Sequence, residues 1–300
     1  MERKDHIDAL GTFLLLFCST LMAINQVLVK IVNSGLHPVF QAGLRSACAI
    51  LPILAFALFM KRRLSISDGS LWPGILAGIF FGGEFLLLFQ ALDFTTVSRA
   101  SIFFYTMPLW TAIASHFLIE GESLTPVRVI GLILSISGVV VAFWGNGVVQ
   151  LDHTFVGDLF CLVAAVLWSG IVILARTTRF SKSSPEMQML YQLVVSAILL
   201  LGLAPLFGEL IRDYHAYIGV LFAVQVLVIV CIGFLTWFWV LSIYPASDMA
   251  SFSFLSPVLG VLFGWMILDE ALSPSILIAL VLVSSGVFLV NRRRRTGIQR

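Results

Sequence analysis

The sequence predicts an all-α integral membrane protein of ten transmembrane helices, arranged as two inverted five-helix repeats. Three observations lead there. Only 11% of the 300 residues are charged and 59% are hydrophobic, against roughly 25% charged in soluble globular chains. The apolar residues fall into runs of the length that crosses a bilayer core, about 17 to 25 residues each. The two halves of the chain also repeat one another at offsets of 146 to 149 residues. Composition excludes a soluble fold, and about ten spans leave no room for a sizeable water-soluble domain.

In order, the spans are expected near residues 9–30, 39–60, 71–92, 97–118 and 127–144, then 157–175, 186–207, 217–241, 247–267 and 275–291. The first is read as an uncleaved helix: Leu21-Met22-Ala23 lacks the small residue a signal cleavage site needs, and Phe17-Cys18 does not suit lipoprotein processing. Helices five and ten open on Thr125-Pro126 and Ser273-Pro274, a hydroxyl N-cap followed by proline at the first helical position. Helices four and nine carry Pro108 and Pro257 about a dozen residues in, where the missing N–H and the ring clash predict kinks. Gly131-x-x-x-Ser135 in helix five is a small-residue face for close helix approach, within the monomer in preference to a dimer.

Charge position sets the orientation. An even number of spans puts both termini on one side, and 14 of the 18 basic residues fall on that side, including Lys61 to Arg63, Arg176, Arg179, Lys182 and Arg292 to Arg295. The far side keeps Lys30, Arg99 and Arg212, and Arg45 lies inside a helix. By the positive-inside rule both termini are cytoplasmic, and 292–300 is a basic cytoplasmic tail. The same run in a soluble chain would suggest nucleic acid, but after a span it reads as an anchor, and a net charge of +2 suggests no nucleic-acid partner. Cys18, Cys48, Cys161 and Cys231 lie in apolar stretches without metal-ligand spacing, so neither disulfides nor a metal site is expected, and no motif calls for a cofactor.

The repeats run over 9–146 and 155–291. Gly11 falls on Gly157, Lys30 on Arg176, Pro38 on Pro185, Phe103 on Phe252 and Pro108 on Pro257. Glu122-Ser123-Leu124-Thr125-Pro126 returns as Glu270-Ala271-Leu272-Ser273-Pro274, and Ser137-Gly138-Val139 as Ser285-Gly286-Val287. Five spans is an odd number, so the second copy enters the membrane from the opposite face. Two such halves can rock about a site near the midplane and expose it to each side in turn, the arrangement of secondary transporters.

These residues resemble the EamA-like family of the drug/metabolite transporter superfamily. The likeness rests on Gly43-Leu44-Arg45, the stretch from Ala91-Leu92 to Ala100, mid-helix Pro108, Trp168-Ser169 with Arg176 beyond, and the doubled Glu-x-Leu-Ser/Thr-Pro and Ser-Gly-Val blocks. The resemblance implies a carrier of the inner or plasma membrane, commonly an exporter of amino acids, other metabolites or toxic compounds. The chain departs from strict symmetry where Met22, Asn25 and Gln26 stand opposite Trp168, Ile171 and Val172.

Polar residues inside spans are the candidate site. Glu84, between Phe80-Phe81-Gly82-Gly83 and Phe85, is the only acid placed deep in the bilayer. A charged side chain there costs about 2.5 to 3.5 kcal/mol to insert, so it must face the bundle interior and either take a proton, pair with a cation or meet a substrate amine. Arg45 sits roughly 9 Å inside helix two, suited to a structural ion pair or carbonyl contact, with an anion contact as the alternative. Arg99 lies in the first turn of helix four, where the helix dipole opposes a cation by about 0.3 to 1 kcal/mol, so a partner is expected: Asp93, another helix or a substrate carboxylate. Its counterpart Asp248 has the favourable sign. Asn25 and Gln90 are potential hydrogen-bonding ligands or helix ties, and among the aromatics Tyr105 lies beside the kink and Trp168 belongs to the Trp168-Ser169 element of the family resemblance.

The expected function is a secondary transporter that moves a small metabolite, amino acid or drug by alternating access, by resemblance an exporter, with proton coupling motivated by Glu84. An enzyme is disfavoured because the chain has no HExxH, nucleophile elbow or P-loop. A non-transporting membrane scaffold or binding protein would tolerate the same repeat. The expected partners are a small-molecule substrate and membrane lipid.

Overall fold

The computed structural model describes residues 8–62, 64–144, 153–233, 236, 239–240, 243–244 and 254–291. Its helices are α1 (Ala9–Val32), α2 (Pro38–Phe59), α3 (Leu71–Phe94), α4 (Val97–Phe104), α5 (Met107–Leu118), α6 (Pro126–Trp144), α7 (His153–Thr177), α8 (Pro185–Leu203), α9 (Ala216–Val224), α10 (Leu255–Leu268) and α11 (Pro274–Asn291). Among the described residues the sole β pairing is the bridge between Leu36 and Ile211. Among the described residues seven spans are long and apolar enough to cross a membrane singly: α1, α2, α3, α6, α7, α8 with the turn after it, and α11. The remaining three are the α4–α5 pair, α9 with its continuation, and α10. Together they make the ten spans of the fold. Their outward faces carry large apolar side chains, such as Trp72, Ile133, Ile136 and Val281, a surface suited to acyl chains.

Hydroxyl and carboxylate caps start these helices. Asp8 accepts from the Gly11 N–H at 2.9 Å, Thr96 from Arg99 N–H at 3.1 Å and Ser184 from Met187 N–H at 3.2 Å. Thr125 and Ser273 accept from Arg128 and Ile276, which is the capping expected of the two hydroxyl-proline pairs.

The kink expected at Pro108 is a full break. Helix four stops at Phe104 and restarts at Met107, so Pro108 stands in the first turn of α5, where its missing N–H disturbs no helical bond. Thr106 bridges the gap, donating to Phe103 O at 2.6 Å and accepting from the Trp110 indole at 3.2 Å. Pro257 has the matching place in the first turn of α10, and the chain just before Phe254 lies outside the described residues. Helix eight departs from α geometry as well: α9 runs into a π-helical stretch, Gln225–Ile232.

Packing obeys the inverted repeat. α2 against α8, α4 against α10 and α6 against α11 each pair an element with its own counterpart. Two further sets of contacts are matched: α3 on α7 mirrors α9 on α1, and α1 on α10 mirrors α7 on α4 and α5. Small residues let the backbones approach. A Cβ on Gly131 would lie 2.7 Å from the Gly286 carbonyl, and Ser135 donates to Val283 O at 3.4 Å, so the Gly131-x-x-x-Ser135 face is used inside the chain.

A longer ladder escaped the sequence reading: Gly74, Gly78 and Gly82 on α3 recur every fourth residue and face Tyr191, Val195 and Leu199 on α8. A Cβ at Gly78 would sit 2.5 Å from Val195 Cβ and 2.8 Å from the Tyr191 carbonyl. Gly78→Leu is therefore expected to destabilise the protein by about 1–3 kcal/mol or more, because backbone must move to admit it. Gly202, with nothing within 4 Å of a Cβ, should accept alanine without loss. Thermal unfolding of the two variants in one detergent checks both, and equal melting temperatures would refute the close crossing.

Candidate functional site

Midway along the bundle, α1, α2 and α3 bring together Asn25, Arg45 and Glu84. Glu84 is 1% exposed and its Oε2 has no hydrogen-bond partner. Arg45 lies within its electrostatic reach but makes no ion pair with it: the guanidinium donates to Asn25 Oδ1 at 3.1 Å and stacks 4.4 Å from the Phe85 ring centroid, with Phe89 at 5.3 Å. Arg45 is 5% exposed, and the aromatic faces supply part of the stabilisation that water would give. Asn25 keeps partial exposure. A carboxyl with one bare oxygen beside a fixed cation can hold a proton or receive an ammonium, which a saturated helix tie cannot.

Amides extend this layer. Gln26 accepts from Ser101 at 2.7 Å, and Gln41 donates to Gln225 at the head of the π stretch at 3.2 Å. Gln26 Nε2, Gln41 Oε1 and Gln225 Nε2 are buried without partners. Gln90 is buried on α3. Tyr105 fills the α4–α5 break and faces Ser256 of α10. Half-buried Trp168 lies beside the break, because the adjacent Ser169 donates to Met107 O at 2.8 Å. Asp248 lies outside the described residues. Among the described residues no group of His, Cys, Asp or Glu is arranged to hold a metal ion.

One end of the bundle is tied together by charge. Asp93, the local partner considered for Arg99, instead binds Arg212 at 2.9 Å, and Arg99 binds Asp158 on α7. That pair is bidentate: Arg99 Nε donates to Asp158 Oδ2 at 3.0 Å, its terminal nitrogen adds a second bond, and Thr95 Oγ1 donates to Oδ1 at 2.7 Å. Asp158 is fully buried. It cancels the unfavourable placement of Arg99 at a helix start. Lys30 donates to Leu92 O at 2.9 Å and Thr95 O at 2.6 Å, capping the carbonyl end of α3. Asp158 was missed because nothing local marks it: it is a lone acid in the second turn of an apolar helix, 59 residues from Arg99.

At the opposite end the ion-paired arginines are more exposed. Arg176 binds Glu122 and donates to Ser115 Oγ at 3.2 Å, and Arg62 pairs with Glu186 at 3.1 Å. Hydrogen bonding from Arg176 holds the Glu122 carboxyl below the usual carboxylate range. A lowered acid in the folded state contributes stability above the ordinary glutamate range, and that contribution is lost as pH falls through the lowered value. Both partners are partly exposed, so the expected worth is about 0–1 kcal/mol. Melting temperatures of the intact protein and Glu122→Gln should differ slightly at pH 7 and converge on acidification, whereas a constant gap across pH would refute the linkage.

The EamA-like transporter family profile matches residues 9–144 and again 155–292. The chain is 26% identical over 268 residues to the uncharacterized transporter YoaV of Bacillus subtilis (strain 168), covering 88% of this chain and 90% of that one. It is 25% identical over 301 residues to a probable amino-acid metabolite efflux pump of Escherichia coli (strain K12), covering 96% and 95%. One solved crystal structure shares its fold with a TM-score of 0.65 at 21% identity, covering 94% of this chain and 96% of that one. With the family profile spanning both halves of a ten-helix bundle, the chain belongs to the EamA-like transporter family and is a multi-pass membrane transporter, not an enzyme.

Proposed function

We propose that the protein exports a small zwitterionic metabolite of the amino-acid type by alternating access, driven by proton movement through Glu84. The bare Oε2 of buried Glu84 beside Arg45 is the observation that carries this reading. A carboxyl and a guanidinium in one dry, aromatic-lined layer complement an ammonium and a carboxylate. Asn25 and Gln90 supply further polar contacts, and Tyr105 and Trp168 line the path at the helix break. The printed name of the Escherichia coli relative supports both the solute class and the direction.

The moving units are 9–146 and 155–291, with Pro108 at the break of span four and Pro257 at the corresponding position of span nine. The positive-inside distribution assigns the termini, and with them the Arg176 end, to the cytoplasm of a cell whose inner or plasma membrane holds the protein. The Arg99 end then faces outward and is closed in this state. Arg99 is engaged by Asp158 and belongs to that closure.

Mass spectrometry of medium from cells producing the intact protein, against cells producing Glu84→Gln at equal membrane abundance, tests the reading. A solute enriched outside only with the intact protein supports it. A medium unchanged by either protein, together with no uptake in vesicles, would overturn it.

A further inference from the structure

We infer that Glu270 is a latch that holds the Arg99 end closed by capping α4, and that it exchanges this hold for an ion pair with Lys30 when that end opens. The inference rests on the alternating-access reading above. Glu270 stands in the turn between α10 and α11, in the second half of the chain, yet all three hydrogen bonds of its carboxylate reach the first half. Its Oε1 accepts from Val97 N–H at 2.6 Å, and its Oε2 from Ser98 N–H at 2.9 Å and Ser98 Oγ at 2.6 Å. Thr96 already satisfies the Arg99 N–H, so Glu270 takes two N–H groups that no local residue caps, at the positive end of the helix. Gly264 makes room, since a Cβ there would lie 2.5 Å from Glu270 Oε2.

The repeat supplies the other state. Glu122 is the counterpart of Glu270, and Arg176 the counterpart of Lys30. The turns that present the two glutamates match: Gly121 and Asp269, just before them, both have positive φ, +82° and +52°. Glu122 and Arg176 are paired. Glu270 and Lys30 are within electrostatic reach but unpaired, because Lys30 donates to Leu92 O and Thr95 O and Glu270 caps α4. In an inverted repeat that alternates, the two ends exchange conformations. The same glutamate–cation device is therefore seen unpaired at the Arg99 end and paired at the Arg176 end.

Labelling of a thiol behind the latch reads this directly. Ser101, one turn below Ser98, is fully buried. The full chain carrying Ser101→Cys, with its four native cysteines replaced by alanine, is placed in lipid nanodiscs and treated with a charged maleimide. Glu270→Ala is expected to raise the labelling rate about tenfold, the population change that follows from losing a charge-assisted hydrogen bond. Lys30→Ala, which removes the alternative partner, should lower the rate below that of the parent, and Arg176→Ala, which weakens the state seen here, should raise it. These opposite signs from two counterpart cations are not produced by general loosening, and the monodispersity of each variant guards against misfolding. A parent that labels slowly while Glu270→Ala and Lys30→Ala leave its rate unchanged overturns the latch and leaves the carrier reading standing. No labelling in the parent or in any variant overturns both.

Discussion

Glu84→Gln is expected to leave the protein folded and inserted while cutting the response of transport to a pH gradient by about 5- to 150-fold, the range of ordinary coupling free energies. The substitution keeps the size of the side chain and removes its ability to carry a proton. Oε2 has no hydrogen bond to lose, and Arg45 keeps Asn25 and the Phe85 ring as partners when the Glu84 charge is removed. The measurement is counterflow of the exported solute in reconstituted vesicles with and without an imposed gradient. An unchanged gradient response would remove Glu84 from coupling, and a loss of folded protein would make it a helix tie.

Asp158→Ala should be the most damaging single change to stability, at about 3–5 kcal/mol, because it leaves the Arg99 guanidinium largely buried without its partner. It also strips Thr95 of an acceptor. Asp158→Asn keeps an acceptor for Thr95 without the charge and should fall between. The double variant Arg99→Leu/Asp158→Leu, which removes both charges, should recover most of the loss, since an apolar pair of similar volume often equals a buried ion pair. Melting temperatures and monodisperse yield in detergent give the comparison. A loss under about 1 kcal/mol for Asp158→Ala would place the pair among weak surface bridges.

The membrane class, the number of spans, the capped starts at Pro126 and Pro274 and the inverted repeat were legible in the amino-acid order. Each depends on something local or periodic: the length of an apolar run, a hydroxyl before a proline, a block recurring at a fixed offset. Glu84 was legible for the same reason, since a carboxyl inside an apolar run is conspicuous wherever the helix lies. The bend at Pro108 was legible as a bend, but its depth was not, because Thr106, Trp110 and Ser169 together convert a kink into a break.

By itself, then, the sequence determined that this chain crosses a membrane ten times as two opposed halves and carries one deep carboxyl. Only the tertiary structure decided which charges meet: Arg99 with Asp158, Asp93 with Arg212, Glu270 with the start of α4 and Glu122 with Arg176. The physical reason is range. Hydrophobic transfer acts residue by residue along the chain and is written in composition, whereas an ion pair or a borrowed helix cap joins groups brought together by helix packing. The Gly74, Gly78 and Gly82 ladder shows the same division: its spacing is visible in one helix, but the neighbour it admits, α8, is chosen by the whole bundle.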